Sequence, residues 1–172
     1  MNRMARTAFS FDTLTIGERL ATVDKGVITT AHIMRWSACV ENWHRIHYDQ
    51  TFATGHDKLP SVLINGSWKQ HVLVQLVKDG LGAQGWLWRM KFRYLRMDVA
   101  CDALSAVADV VDKQVIGDLG FVTVSIALLN QRGEVSTAGH AIGVLPLGEG
   151  QAVPYPFQPS NAQRALQFPL GH

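Results

Sequence analysis

The sequence predicts an α+β domain, in which a curved antiparallel sheet of about five strands covers one long apolar helix. Three observations carry that expectation. Asn65-Gly66-Ser67 offers a turn and a helix start, and Gly80 and Gly82 offer a stop; between them Val72-Leu73-Val74-Gln75-Leu76-Val77 is apolar on nearly every side. The period then changes from helical to alternating, most plainly over residues 86–94. Finally, Asn130-Gln131-Arg132-Gly133 reads as a hairpin turn between two β-rich runs.

Taken in order, residues 1–14 form a leading arm, residues 15–147 a single domain, and residues 148–172 an extended tail rich in Pro, Gly, Gln and Ala. Residues 19–28 carry β-branched side chains around Gly26 and predict a first strand. Thr29-Thr30 supplies an N-cap for a helix over 31–40, where Ile33, Met34, Ser37 and Ala38 share a face. Residues 41–63 read as a loop. The apolar run at 72–77 also suits a buried strand by itself; its length from cap to glycine favours an enclosed helix. In 86–94, Trp86, Trp88, Met90, Phe92 and Tyr94 alternate with Leu87, Arg89, Lys91 and Arg93, which predicts a strand with the first set buried. Residues 103–111, 121–129 and 134–145 complete the sheet. Such a sheet leaves an edge exposed, so pairing with a second copy or a relative is expected.

Composition narrows the function. The 172 residues are enough to bury a core without disulfides or metals. A hydrophobic share of 47%, a charged share of 17% and a mean hydropathy of +0.04 describe an ordinary globular chain. A net charge of +2 without a basic run argues against nucleic acid. No stretch approaches the roughly 18 apolar residues needed to span a bilayer, and the first ten residues lack a signal-peptide core. The 2 cysteines, Cys39 and Cys101, have no redox or metal spacing. A cytoplasmic protein is therefore expected.

The chemistry concentrates in Glu41-Asn42-Trp43-His44-Arg45-Ile46-His47-Tyr48-Asp49, followed by the Gly66-Ser67 step. Two imidazoles, an amide, a guanidinium and carboxylates lie on one loop beside a helix start. That suits addition or removal of water at a polarised carbonyl compound. An imidazole and an amide can hold the water, and the helix N-terminus supplies N–H groups and a positive dipole end for a developing enolate oxygen. Trp68 and the apolar helix offer a lining for an acyl chain.

Each group also has a plainer role. The histidines suit a polar surface loop, and Gly66-Ser67 suits a bare helix start. His44-x-x-His47 with His56 and Cys39 matches no usual zinc spacing, and no metal is expected. Arg89, Lys91 and Arg93 can grip phosphates or form the wet face of a strand. His71 and Gln75 read as satisfied polar groups, and His140 and Cys101 as structural.

The stretch Asn42 to Asp49, then Phe52-Ala53, then Ile64-Asn65-Gly66-Ser67, resembles the hydratase motif of the MaoC-like hot-dog family, the (R)-specific enoyl-thioester hydratases and dehydratases. The usual motif is Asp-x-Asn-Pro-x-His-x-Asp, Phe-Ala, Ile-x-His-Gly-Met. Val99 to Leu104 is similar to the family's Pro-Val-x-x-Gly-Asp-Thr-Leu, and the likeness spans about residues 15–145. The His-Arg-Ile-His-Tyr-Asp version resembles more closely the mesaconyl-CoA hydratase and mitochondrial-type 3-hydroxyacyl-thioester dehydratase branch.

The resemblance implies a hot-dog fold and the interconversion of enoyl-CoA and 3-hydroxyacyl-CoA. Its catalytic His falls on His47, and its glycine, whose N–H holds the thioester oxygen, on Gly66. Its catalytic Asp falls on Asn42. An amide orients water but takes no proton, so His44 and Glu41 are the spare titratable groups. Asn65, Ser67, Trp68 and Arg45 join Gly66 as expected substrate contacts. No cofactor is implied beyond coenzyme A as part of the substrate. The expected partners are an acyl-CoA or acyl-carrier-protein thioester and a homodimer, a higher homo-oligomer, or a hetero-oligomer with a homologue. Two other functions stay open: a thioesterase with Glu41 as its carboxylate, and a non-catalytic thioester-binding subunit, which the missing aspartate suggests.

Overall fold

The structure is a computed structural model that describes residues 10–148 and 151–169. Most of the expected leading arm lies outside the described residues; its described end places Phe11 in the core. The elements run β1 (Arg19–Val27), α1 (Thr30–Cys39), α2 (Gln50–Gly55), α3 (Gly66–Leu81), β2 (Trp86–Tyr94), β3 (Ala103–Ile116), β4 (Leu119–Asn130), β5 (Val135–Pro146) and α4 (Asn161–Arg164).

Local chemistry sets the helix ends. The Thr29 hydroxyl accepts from the His32 N–H at 3.4 Å while the His32 Nδ1 accepts from the Thr29 N–H at 3.1 Å, a reciprocal cap for α1. Asp49 caps α2 by accepting from the Phe52 N–H at 2.9 Å. α3 ends where Gly82 adopts φ +77°, in the left-handed region that glycine enters without a Cβ penalty.

The strands form one antiparallel sheet in the order β1-β3-β4-β5-β2, wrapped around α3. Val72, Leu73, Leu76, Val77 and Leu81 of α3 are buried against Ala106, Ala108, Val110, Val124 and Leu128 on the inner face. Burying these side chains is the main stabilising term, about 25 cal/mol per Å² of apolar surface removed from water. This is the hot-dog layout that the resemblance implied.

The structure departs from the sequence reading in four places. The 41–63 loop contains a 3-10 turn, Arg45–His47, and the short helix α2. β3 continues to Ile116, further than its alternation suggested. In β2 the strict alternation fails. A register shift between Leu87 and Arg89 leaves Leu87 and Met90 packed on the main core and turns Trp88 to the outer face; Trp86 and Tyr94 are exposed. Finally, the tail, expected to wrap over the surface without a fold of its own, carries the short helix α4 as it covers the outer face. Val153, Phe157, Leu166 and Phe168 join Trp88, Leu119, Phe121, Ile142 and Val144 in a second cluster. Arg89 is half-buried: it stacks on Trp88 at 4.2 Å and donates to the Leu166 carbonyl.

Candidate active site at the start of the long helix

The loop that carries the imidazoles is stapled from within. The His44 Nδ1 accepts from the Ile46 N–H at 3.4 Å and so caps the 3-10 turn. Arg45 donates to Asp49 Oδ2 from Nε at 3.0 Å and from Nη2 at 2.6 Å, and lies 4.4 Å above the Phe52 ring. The Phe52 N–H, and then Arg45, hold the Asp49 carboxyl below the usual carboxylate range. Both charged groups brace the loop, and the Arg45 side chain stays 57% exposed.

His47 is placed differently. Its side chain is buried, with the residue 7% exposed, and Nδ1 lies 2.8 Å from the Leu63 carbonyl oxygen. A carbonyl only accepts, so Nδ1 carries the proton and donates. In the neutral ring Nε2 is left with its lone pair. Burial pulls the pKa down, the Leu63 hydrogen bond pushes back, and nearby His44 lowers it further. The ring is therefore neutral at pH 7 and ready to take a proton. A second tie, the Leu63 N–H to the Ile46 carbonyl at 2.8 Å, fastens this turn to the segment that enters α3 three residues later.

The first turn of α3 is anchored by its side chains and carbonyls, and its leading N–H groups stay open. Asn65 stands at the N-cap position but does not cap. Its side chain is buried and paired with Ser37: Nδ2 donates to the hydroxyl at 3.1 Å and Oδ1 accepts from it at 3.3 Å. The N–H groups of Trp68 and Lys69 reach the Asn65 carbonyl at 3.1 and 3.2 Å. Those of Gly66 and Ser67 have no acceptor among the described residues. The Tyr94 hydroxyl donates to the Gly66 carbonyl at 2.7 Å, and a Cβ on Gly66 would lie 3.0 Å from the Tyr94 ring, so a larger residue there would push the ring back by a few tenths of an ångström. The Trp36 indole N–H donates to the Ser67 hydroxyl at 2.9 Å. One turn further, the buried Lys69 ammonium sits 2.7 Å from Asp98 Oδ2 as an ion pair and donates to the Arg96 carbonyl at 3.0 Å.

The structure thus ties His47 to the approach to Gly66 and Ser67 through Leu63. Asn42 joins by a chain of contacts: its Oδ1 accepts from the His44 N–H at 3.3 Å, and the His44 and His47 ring centres are 6.3 Å apart. Asn65 turns away toward Ser37. Trp68 lines a cavity of about 310 Å³ on another flank of the turn. Glu41 is exposed, at φ +52°, just before Asn42. Tyr94, Ser37, Lys69 and Asp98 brace the site without standing out as site residues in the sequence. Lys69 was the detectable one, since a cation on the apolar side of an enclosed helix requires a buried partner. Among the described residues no three His, Cys, Asp or Glu side chains gather as metal ligands would.

Residues 14–100, half of the chain, match the family described as hydroxyacyl-thioester dehydratase type 2. The chain belongs to that family. The matched span holds the whole stretch from His47 to the first turn of α3, and also Tyr94 and Asp98. No curated protein sequence matches the chain. Among solved structures, this dehydratase-family chain resembles the monoamine oxidase regulatory protein from Archaeoglobus fulgius with a TM-score of 0.73 and 22% identity, over 84% of this chain and 99% of that one. It resembles the unliganded R-hydratase PhaJ1 from Pseudomonas aeruginosa with a TM-score of 0.71 and 16% identity, over 81% and 86%. The (R)-hydratase from A. caviae involved in PHA biosynthesis gives 0.69 and 18%, over 78% and 98%. At these identities the likeness carries the hot-dog fold.

Proposed function

We propose that this chain is a hydro-lyase that interconverts an enoyl thioester and a 3-hydroxyacyl thioester, with His47 as its acid and base. The observation that carries the reading is the His47–Leu63 hydrogen bond, which leaves Nε2 as the lone-pair nitrogen of a buried, neutral imidazole on the segment leading to two open helix N–H groups. Family membership supports the reaction class.

The hydration step is written with these parts. Asn42 holds a water beside the imidazole. Nε2 takes one proton from that water as its oxygen bonds to Cβ of the enoyl group. The π pair moves onto the thioester oxygen, where the N–H groups of Gly66 and Ser67 and the positive end of α3 stabilise it. The imidazolium then returns its proton to Cα. With an amide at position 42, one group performs both proton transfers. Dehydration is the same path reversed.

The substrate is an acyl-CoA or acyl-carrier-protein thioester, and the reaction needs no further cofactor. β2 is an edge strand with Trp86 and Tyr94 exposed, followed by exposed Leu95 and Met97, a surface suited to a second copy or a homologue. We place the protein in the cytoplasm; among the described residues no helix is long and apolar enough to cross a membrane. A thioesterase would rest on Glu41, which lies exposed before the site. A binding-only subunit rests on the amide at position 42. Enoyl-CoA thioesters of graded size decide between these readings. Loss of enoyl absorbance with the purified homomer supports the hydratase. Release of free thiol supports the thioesterase, and activity that appears only with a homologue supports the subunit.

A further inference from the structure

The cavity of about 310 Å³ beside the first turn of α3 has a composition that the hydration step does not use. Its walls include the indoles of Trp36 and Trp68, Ile28, His32, Cys39, and the cationic side chains of Lys25 and Arg35; among the described residues no carboxylate lines it. Five other cations among the described residues are neutralised by a carboxylate. Arg19, Arg45, Arg96 and Arg132 each pair with a carboxylate, and Lys69 pairs with Asp98. Among the described residues, Lys25 and Arg35 have no acidic partner, although they come from different elements, β1 and α1. Two exposed, unneutralised cations beside an apolar, aromatic floor give the cavity a positive rim that favours an anion. Such a floor also gives flat apolar surface for the stem of a ligand.

The cavity wall is fixed to the active-site turn. Trp36 donates to the Ser67 hydroxyl at 2.9 Å, the His71 ring packs against its indole with centres 5.1 Å apart, and Trp68 follows Gly66 by two residues. The first turn of α3 therefore shares Trp68, and through Ser67 the Trp36 hydrogen bond, with this cavity. Resting on the hydratase reading for the ligand's class, we propose that Lys25, Arg35, Trp36 and Trp68 form a binding site for an anionic group carried by the thioester substrate. Lys25 and Arg35 take the charge and the indoles take the apolar stem. A carboxylate at the far end of the acyl chain and a phosphate of the carrier arm present the same chemistry, and they are separable by experiment.

The test is calorimetric titration of the full chain with four saturated, unreactive thioesters: butyryl-CoA, glutaryl-CoA, butyryl-pantetheine and glutaryl-pantetheine. Wild type, Arg35→Gln and Lys25→Gln are compared, with circular dichroism to verify the fold of these exposed-site variants. The expected result is an affinity loss of about tenfold for an anionic thioester, well beyond any loss for neutral butyryl-pantetheine. A loss that tracks the glutaryl group on both arms assigns the site to an acyl carboxylate. A loss that tracks CoA with either acyl group assigns it to phosphate. Equal effects on all four ligands, no effect on any, or no binding of any ligand by the wild type overturns the proposal. Turnover of crotonyl-CoA, measured separately, reports on the hydratase reading: absence of turnover with intact charge-dependent binding removes that reading and leaves the anion site standing.

Discussion

The hydroxyl of Tyr94 donates to the carbonyl of Gly66 at 2.7 Å, and its ring lies 3.0 Å from where a Cβ at position 66 would stand. That carbonyl and the Ser67 N–H belong to one planar peptide unit. The bond therefore fixes the direction of the Ser67 N–H and polarises it as a donor. Burial raises the Tyr94 pKa, which keeps the hydroxyl protonated and donating across neutral pH.

Removing only that oxygen tests the relationship. Tyr94→Phe keeps the ring against Gly66, so the melting temperature stays close to wild type. The hydration kcat falls roughly threefold to tenfold with KM little changed, because the lost polarisation matters most when charge sits on the thioester oxygen. An unchanged kcat removes Tyr94 from the site.

The pH dependence follows from His47. Its folded pKa lies below the ordinary value of about 6.5, mainly because it is buried. Between the two values the unfolded chain binds more protons than the folded one, so this residue's contribution to stability is complete above about pH 6.5 and declines as pH falls through the window beneath it. The same group must be neutral to accept a proton from water, so kcat/KM for hydration is flat around pH 7 and drops on the acid side. His140 is also lowered by burial and adds a stability slope of the same sign. Urea unfolding of His47→Gln between pH 5 and 8 separates the two, since only the His140 slope survives in the variant.

The buried pair of Lys69 and Asp98, 4% and 1% exposed at their side chains, fastens the first turn of α3 to the segment after β2. Lys69→Met leaves the Asp98 carboxylate uncompensated and is expected to cost about 3–5 kcal/mol in urea unfolding. Lys69→Met combined with Asp98→Leu recovers part of that loss. A double variant no more stable than the single contradicts the ion-pair account.

On the outer face, Phe157 meets Trp88 at 5.7 Å and Phe121 at 6.4 Å between ring centres. Phe157→Ala is expected to lower stability by about 1–3 kcal/mol while leaving hydration kinetics unchanged, since this cluster lies across the sheet from α3. Loss of activity without loss of stability would contradict that separation.

What the sequence showed of this fold was whatever is set by neighbours along the chain. The cap-to-glycine length of α3, the Asn130 to Gly133 turn and the spacing of Asn42, His47 and Gly66 are local, and each reappears as an element or a tether. Long-range contacts were hidden. The register shift at Leu87 and Arg89 reversed the faces assigned to Trp88 and Leu87, and nothing in the strand's own alternation records which face the tail will cover. Asn65 looked like a cap because Asn caps helices; only the fold brings Ser37 close enough to take its side chain. Tyr94 was assigned to the core by its aromatic character, whereas its polar tip is the part the site uses.

The central claim is that the His47 imidazole moves the proton. The most direct measurement is the hydration rate of crotonyl-CoA by His47→Ala, with circular dichroism confirming the fold. A fall in kcat of about 10²–10⁴-fold is expected. A folded variant that hydrates the thioester at the wild-type rate contradicts it.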